Sequence, residues 1–235
     1  LDNSLIWSLL AGACTAFGAL ILFFRKSWSN KSLAFFLGLA AGVMVAVVVF
    51  DMLPSALVFG NVAKTCIGLA LGILIMVFVN SLLFRAINSA ETLISLGYMI
   101  MLGIALHDLP EGMAIAFGDE MKSRTGMVIA LGIGIHNIPE GMAIAAPLLM
   151  GGLKKNHILL KTILLGFITP LGTIIGKYMA KVLPDLLPLM LGLASGVMVY
   201  LVCFQLWPQA GAKNKGSRWW GLALGTIIIL AASFF

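Results

Sequence analysis

The sequence predicts an all-α polytopic membrane protein of eight transmembrane helices, built around an inverted repeat. Three observations predict it. Of its 235 residues, 61% are hydrophobic and only 10% charged, with a mean hydropathy of +1.08, whereas a soluble domain carries roughly 25% charged residues. Its apolar runs are long enough for the roughly 20 residues that a helix needs to cross the hydrocarbon core. One phrase occurs twice, as "HDLPEGMAIAF" from His107 and as "HNIPEGMAIAA" from His136.

The apolar runs fall near 4–24, 33–58, 62–84, 92–118, 125–150, 158–180, 185–208 and 218–235. The loops between them are too short to hold a soluble domain, so the chain reads as one transmembrane domain. Helices are expected throughout, because lipid offers backbone N–H groups no partner outside their own segment. The opening "LDNSLIWSLL" lacks the basic start of a signal peptide, so the first run is expected to be a retained span. Cys14, Cys66 and Cys203 stand singly in apolar runs and read as packing residues.

The formal charge of +6 does not point to nucleic acid, because the 15 basic residues are spread thinly between apolar runs and form no stripe. Their placement encodes orientation instead. Arg25, Lys26, Lys31, Arg85, Lys154, Lys155, Lys161, Lys213, Lys215 and Arg218 belong to the odd-numbered loops. Lys64, Lys122, Arg124, Lys177 and Lys181 belong to the even-numbered ones. Positive charge favours the cytoplasmic side, which predicts both termini outside a plasma or inner membrane.

The repeated phrase lies on the fourth and fifth runs, which a short loop makes antiparallel. The two copies are therefore related by a pseudo-two-fold axis in the membrane plane. A second pair agrees: "GVMVAVVVFDMLP" in the second run and "GVMVYLVCFQLWP" in the seventh, with Gly42 to Pro54 and Gly196 to Pro208 at the same spacing. Inverted repeats with interrupted helices are a mark of transporters whose site lies near the bilayer midplane. His107 fits such a depth, about 22 and 16 Å from the two ends of its run at the helical rise.

His107 and Glu111 are four apart and share a helix face, as do His136 and Glu140. Together they offer two imidazoles and two carboxylates where each ionisable group costs about 3 kcal/mol or more. A divalent cation reverses that penalty by favouring the deprotonated ligands. Pro110 and Pro139 lack an N–H, which frees the carbonyls of Leu106 and Ile135 inside the His-to-Glu interval. Gly112 and Gly141 let neighbouring backbones approach. A lone intramembrane histidine ordinarily just bonds across helices. Here two of the three histidines take equivalent positions with a Glu four residues on, which favours metal ligation. The third, His157, reads as a solvated loop residue.

Asp108 and Asn137 project about a quarter turn from the first set and are candidates for a second ion position or for helix packing. Asp51 and Gln205, matched across the outer repeat, are pathway candidates against a simpler role in helix-end hydration. Met44 and Met198 recur there too, as packing residues or as contacts for metal in transit. Asp119 and Glu120 read as an exposed turn. Gly38/Gly42, Gly68/Gly72 and Gly192/Gly196 read as close helix contacts without chemistry. Mixed nitrogen and carboxylate ligands suit Zn²⁺, Cd²⁺, Fe²⁺, Mn²⁺ and Co²⁺ rather than Na⁺ or K⁺.

An intramembrane metalloprotease would need HExxH, whereas this chain has HxxPE, so no enzyme and no catalytic cofactor are expected. A passive channel needs the same site as a carrier and stays open as an alternative. A helix-gluing structural protein is the remaining rival. The partners expected are divalent metal ions and the lipid bilayer, and a homodimer is allowed.

These residues resemble the ZIP (Zrt-, Irt-like) family of divalent metal transporters, in its GufA/ZupT branch. "HDLPEG" (107–112), "HNIPEG" (136–141) and the paired "GVMV…P" segments carry the resemblance over essentially the whole chain. It implies a 3+2+3 inverted repeat of eight helices, metal import toward the cytosol, commonly of zinc, and an elevator-like or alternating-access movement. By position it implies a primary site of His107, Glu111, His136 and Glu140, and a second site using Asp108 and Asn137. Three departures stand out. Thr169 replaces a glutamate of that second site, Gln205 and Gln209 replace acidic residues of the seventh span, and "FRAINSAETL" is too short for a His-rich loop.

Overall fold

The computed structural model describes residues 2–24, 27–58, 62–86 and 93–232, with only the backbone for 83–86 and 184. Arg25, Lys26, most of the "FRAINSAETL" loop, the Arg85 side chain and the last three residues of the run ending at 235 lie outside the described residues. The helices are labelled α1 (Asn3–Phe23), α2 (Asn30–Val58), α3 (Val62–Ala86), α4 (Leu93–Met121), α5 (Ser123–Met150), α6 (Lys155–Val182), α7 (Leu187–Lys213) and α8 (Lys215–Ala232). Among the described residues there is no strand, and α1 to α7 are long and apolar enough to cross a membrane. The protein is an all-α polytopic membrane protein.

Helix starts follow from capping. Asp2 accepts from Ser4 N–H at 3.3 Å at the start of α1, and Ser29 Oγ accepts from Ser32 N–H at 3.2 Å at the start of α2. Lys122 alone joins α4 to α5, and Asn214 alone joins α7 to α8. Gly152, at a φ of 89° that L side chains rarely adopt, turns the chain between α5 and α6.

Prolines set the irregularities. Pro54 cannot donate to the carbonyl of Phe50, and its ring crowds that carbonyl. The turn just before it, Val48–Met52, widens to a π-helix in which Leu53 N–H donates to the Val48 carbonyl. Pro208 acts alike: Leu201–Leu206 is π-helical and Trp207 N–H donates to the Val202 carbonyl. Helix α6 is interrupted at Phe167, three residues before Pro170. By contrast α4 and α5 run on as α-helix through Pro110 and Pro139.

Glycines sort the helices into two groups. In the first, α1, α4, α5 and α6 pack backbone on backbone: a Cβ at Gly12 would collide with the Gly166 carbonyl, at Gly112 with that of Thr169, and at Gly141 with that of Thr15. In the second, Gly38 and Gly42 of α2 meet the backbone of α8, while Gly192 and Gly196 of α7 meet that of α3, where Gly68 and Gly72 return the contact. These are the close helix contacts that the glycine spacing predicts. The surface ion pairs also stay within a group, Lys177 with Asp2 joining α6 to α1 and Lys64 with Asp185 (3.4 Å) joining α3 to the start of α7.

Between the groups a glycine hollow is filled by a side chain. Leu201 of α7 fills the hollow at Gly103 of α4. Met44 and Met198 are fully buried in the same core cluster as Leu201.

Candidate metal centre

Helices α4 and α5 cross within the first group and bring the two copies of the phrase face to face. His107, Asp108 and Glu111 come from α4; His136, Asn137 and Glu140 come from α5. All six are buried, the most exposed being His136 at 3%. The pairing is crossed. His107 Nε2 stands 3.3 and 3.4 Å from the two oxygens of Glu140, and His136 Nε2 stands 3.1 Å from Glu111 Oε2. Asp108 Oδ1 lies 3.7 Å from His107 Nε2, and His107, Asp108 and Glu111 each offer a ligand atom within 4.8 Å of the others.

One backbone contact decides what His107 can do. Its Nδ1 lies 3.0 Å from the carbonyl of Gly103, one turn back. A carbonyl only accepts, so Nδ1 carries the hydrogen and a neutral ring turns a bare Nε2 lone pair toward Glu140. Lone pair and carboxylate repel at 3.3 Å unless a proton or a cation supplies positive charge between them. Binding ligands are typically oriented by such a bond on the far ring nitrogen.

The surroundings leave oxygen atoms without partners. Asp108 Oδ1 and Oδ2, Glu111 Oε1, Glu140 Oε1 and Asn137 Oδ1 are buried with no hydrogen bond, and so are the hydroxyls of Thr169 and Thr15. Burying polar or charged groups this way costs several kcal/mol unless something compensates. Asn137 is half committed: its amide donates to the Ala11 carbonyl of α1 at 3.0 Å, while its oxygen is buried with no hydrogen bond. Thr169 itself is fully buried against Gly112, and its backbone carbonyl accepts from the Thr173 hydroxyl at 3.1 Å.

A narrow cavity of about 60 Å³ reaches the cluster from one end, with Asp51, Ser55, Met121 and Thr125 on its outer wall and Glu111 and His136 on its inner one. It has room for a few waters. Asp51 is exposed there and accepts from the Ser55 hydroxyl at 3.4 Å. Gln205, its counterpart in the outer repeat, is only 8% exposed and donates to Asn80 Oδ1 at 3.4 Å. Gln205, Met44 and Met198 do not line this cavity.

The chain is similar to known proteins along most of its length. A family pattern described as ZIP Zinc transporter matches residues 86–233. Zinc transporter ZupT of Stenotrophomonas maltophilia is 30% identical, covering 97% of this chain and 94% of its own length. Zinc transporter ZupT of Chlorobium chlorochromatii is 28% identical over 96% of this chain and 94% of its own. Zinc transporter ZTP29 of Arabidopsis thaliana is 29% identical over 86% and 83%.

The chain belongs to the ZIP zinc transporter family. As a ZIP protein of the ZupT kind it is a transporter and not an enzyme. Two features of this ZIP protein escape motif reading. The Gly103 carbonyl behind His107 is one, although the repeat does extend upstream as "GIALHDLPEG" and "GIGIHNIPEG", placing Gly103 and Gly132 alike. The cavity wall is the other, because Ser55, Met121 and Thr125 come from three helices and share no sequence pattern. His157 is exposed but lies in the first turn of α6 and not in a loop, and Asp119 and Glu120 sit in the last turn of α4 and not in a separate turn.

Proposed function

We propose that this protein carries zinc, and more weakly Cd²⁺, Fe²⁺, Mn²⁺ or Co²⁺, across a cell membrane toward the cytosol. The transported ion sits among His107, Glu111, His136 and Glu140 near the midplane. The observation that carries the reading is the crossed pairing with His107 Nδ1 tied to Gly103. Zinc bonds nitrogen and oxygen at about 2.0–2.1 Å, and tetrahedral ligands at that radius stand about 3.3 Å apart. The His107–Glu140 and His136–Glu111 separations of 3.3 and 3.1 Å suit such neighbours. Asp108, Asn137 and Thr169 form a weaker neighbouring position, because a hydroxyl replaces a carboxylate there.

The eight helices are read as eight spans in a 3+2+3 arrangement, α1–α3 and α6–α8 being inverted around α4 and α5. The mirrored contacts support this: Gly112 on Thr169 with Gly141 on Thr15, and α2 on α8 with α7 on α3. With both termini outside, the cavity past Asp51 opens outward. Backbone contact within each helix group, against a side chain in a glycine hollow between them, favours a carrier, in which one group moves against the other, over a passive channel.

Uptake of zinc into proteoliposomes tests the site. His107→Ala and Glu111→Ala should each lower uptake at least about a hundredfold, beyond the effect of losing an outer partner, while the purified protein still elutes as a single species. Near-normal uptake in both would remove the assignment. Competition by Cd²⁺, Fe²⁺, Mn²⁺ and Co²⁺ on one preparation ranks the ions. Zinc should bind more tightly at pH 8 than at pH 5, because protons compete for the same nitrogen and oxygen atoms; a flat profile would speak against these ligands.

A further inference from the structure

Away from the metal cluster, α4 and α6 leave a groove of about 350 Å³ on their outer side. Met101, Leu102 and Ala105 of α4 and Leu165 and Ile168 of α6 line it, and Lys161 stands at one end. Both helices run the same way, so Lys161 and Ile168, seven residues apart, place the ends of the groove about 10 Å apart along the axis. Lys161 lies six residues inside α6 and points its ammonium over the ring of Tyr98, 5.1 Å from the centroid. Among the described residues no carboxylate forms an ion pair with it.

We propose that this groove binds an anionic phospholipid, its phosphate on the Lys161 ammonium and one acyl chain along α4 and α6. The polarity is right for a lipid: the charge lies toward the helix starts, nearer the membrane surface, and the apolar floor runs toward the midplane. Water is a poor occupant, because the lining side chains other than Lys161 have only weakly polar or apolar atoms and apolar cavities stay dry. Basic pockets between transmembrane helices are suited to acidic headgroups, and the Tyr98 ring holds this ammonium in place. Ala105 lies two residues before His107 and Ile168 next to Thr169, so a lipid seated here braces α4 against α6 behind the metal cluster. The inference rests on the membrane-spanning reading of α4 and α6 and not on zinc.

Native mass spectrometry of the full-length detergent-purified protein, titrated with palmitoyl-oleoyl phosphatidylglycerol or with the phosphatidylcholine of the same chains, tests it. Wild type should retain the glycerol lipid at least about fivefold better than the choline lipid. Lys161→Gln should erase that preference, Lys161→Arg should keep it, and Ala105→Leu should lower retention of both lipids by filling the floor. Lys154→Gln, an exposed charge at the same end, should behave as wild type. Equal retention of the two lipids by wild type, unchanged preference in Lys161→Gln, or an equal loss in Lys154→Gln would overturn the proposal, the last by showing diffuse attraction. Inorganic phosphate at the same concentration should not displace the lipid; displacement would mean that the anion alone is recognised. A zinc site that fails its own test leaves this readout intact.

Discussion

The two ends of the molecule start from nearly the same sentence and finish in opposite states. "GVMVAVVVFDMLP" on α2 and "GVMVYLVCFQLWP" on α7 give the same backbone: a glycine pair against a partner helix, then a π-helical turn, then a proline. At the α2 end the polar residue of that turn, Asp51, stands exposed on a cavity that leads to Glu111 and His136. At the α7 end its counterpart Gln205 is buried and bonded to Asn80. The difference teaches that backbone geometry and access are encoded separately. Glycine and proline fix the path of the chain at both ends, while the side chains at 51 and 205 and the packing around them decide which end is wet.

The largest effect should come from breaking what the ends share. Gly42→Val would drive a side chain into the Leu222 carbonyl, and Gly196→Val into that of Leu69. Backbone cannot yield as a rotamer does, so each should cost about 3 kcal/mol or more. Size-exclusion profiles and thermal unfolding of the two variants should show equal loss of folded protein. A variant at one end that folds normally would mean that the repeat is a likeness of letters only.

The access difference itself should be the next largest. In a background with Cys14, Cys66 and Cys203 replaced by serine or alanine, a thiol at Ser55→Cys or Met121→Cys should react with a hydrophilic maleimide. One at Gln205→Cys, a position only 8% exposed, should react at least about tenfold more slowly, as befits a closed position reached only through opening of the structure. Equal rates would abolish the distinction between the ends.

How much of this was legible in the sequence follows the same division. That His107, Glu111, His136 and Glu140 would meet was legible, because the phrase repeats its His and Glu at a helical spacing, and the structure does bring His107 to Glu140 and His136 to Glu111. The glycine contacts were legible for the same reason, since spacing on a helix is local. The sequence reading freed a carbonyl before Pro110 and before Pro139, where α4 and α5 stay α-helical. The change of helical type appears instead before Pro54 and Pro208, where the packing of α2 and α7 accommodates an extra residue per turn. Whether a given proline is absorbed or widens a turn depends on its neighbours in space. Which end is open was not legible, because Asp51 and Gln205 were equal pathway candidates and access is a property of the whole packing.

Asp51 should matter through charge. Asp51→Asn removes the acidic group on the outer wall of the cavity, and a field that concentrates cations there raises the rate of their arrival. The concentration of zinc giving half-maximal uptake should rise about threefold to tenfold, with the maximal rate unchanged. High salt should shrink the difference, since exposed charge is screened. A fall in maximal rate instead would place Asp51 in the transport step and not in capture.

The smallest effect should come from the closed end. Gln205→Leu keeps the bulk of the side chain, removes its bond to Asn80 and leaves that amide oxygen without its donor. One such hydrogen bond is worth about 1 kcal/mol net, a shift of about fivefold in an equilibrium. The maleimide reaction at Gln205→Cys cannot report this change, because it replaces the residue itself. A thiol at Gln209→Cys, half-buried one turn further along α7, serves instead. Its labelling should rise about fivefold on adding Gln205→Leu if that bond helps hold the end shut, while labelling at Ser55→Cys falls only slightly, because the state open at the α2 end stays in the majority. No rise at Gln209→Cys would mean that the bond to Asn80 does not hold that end shut.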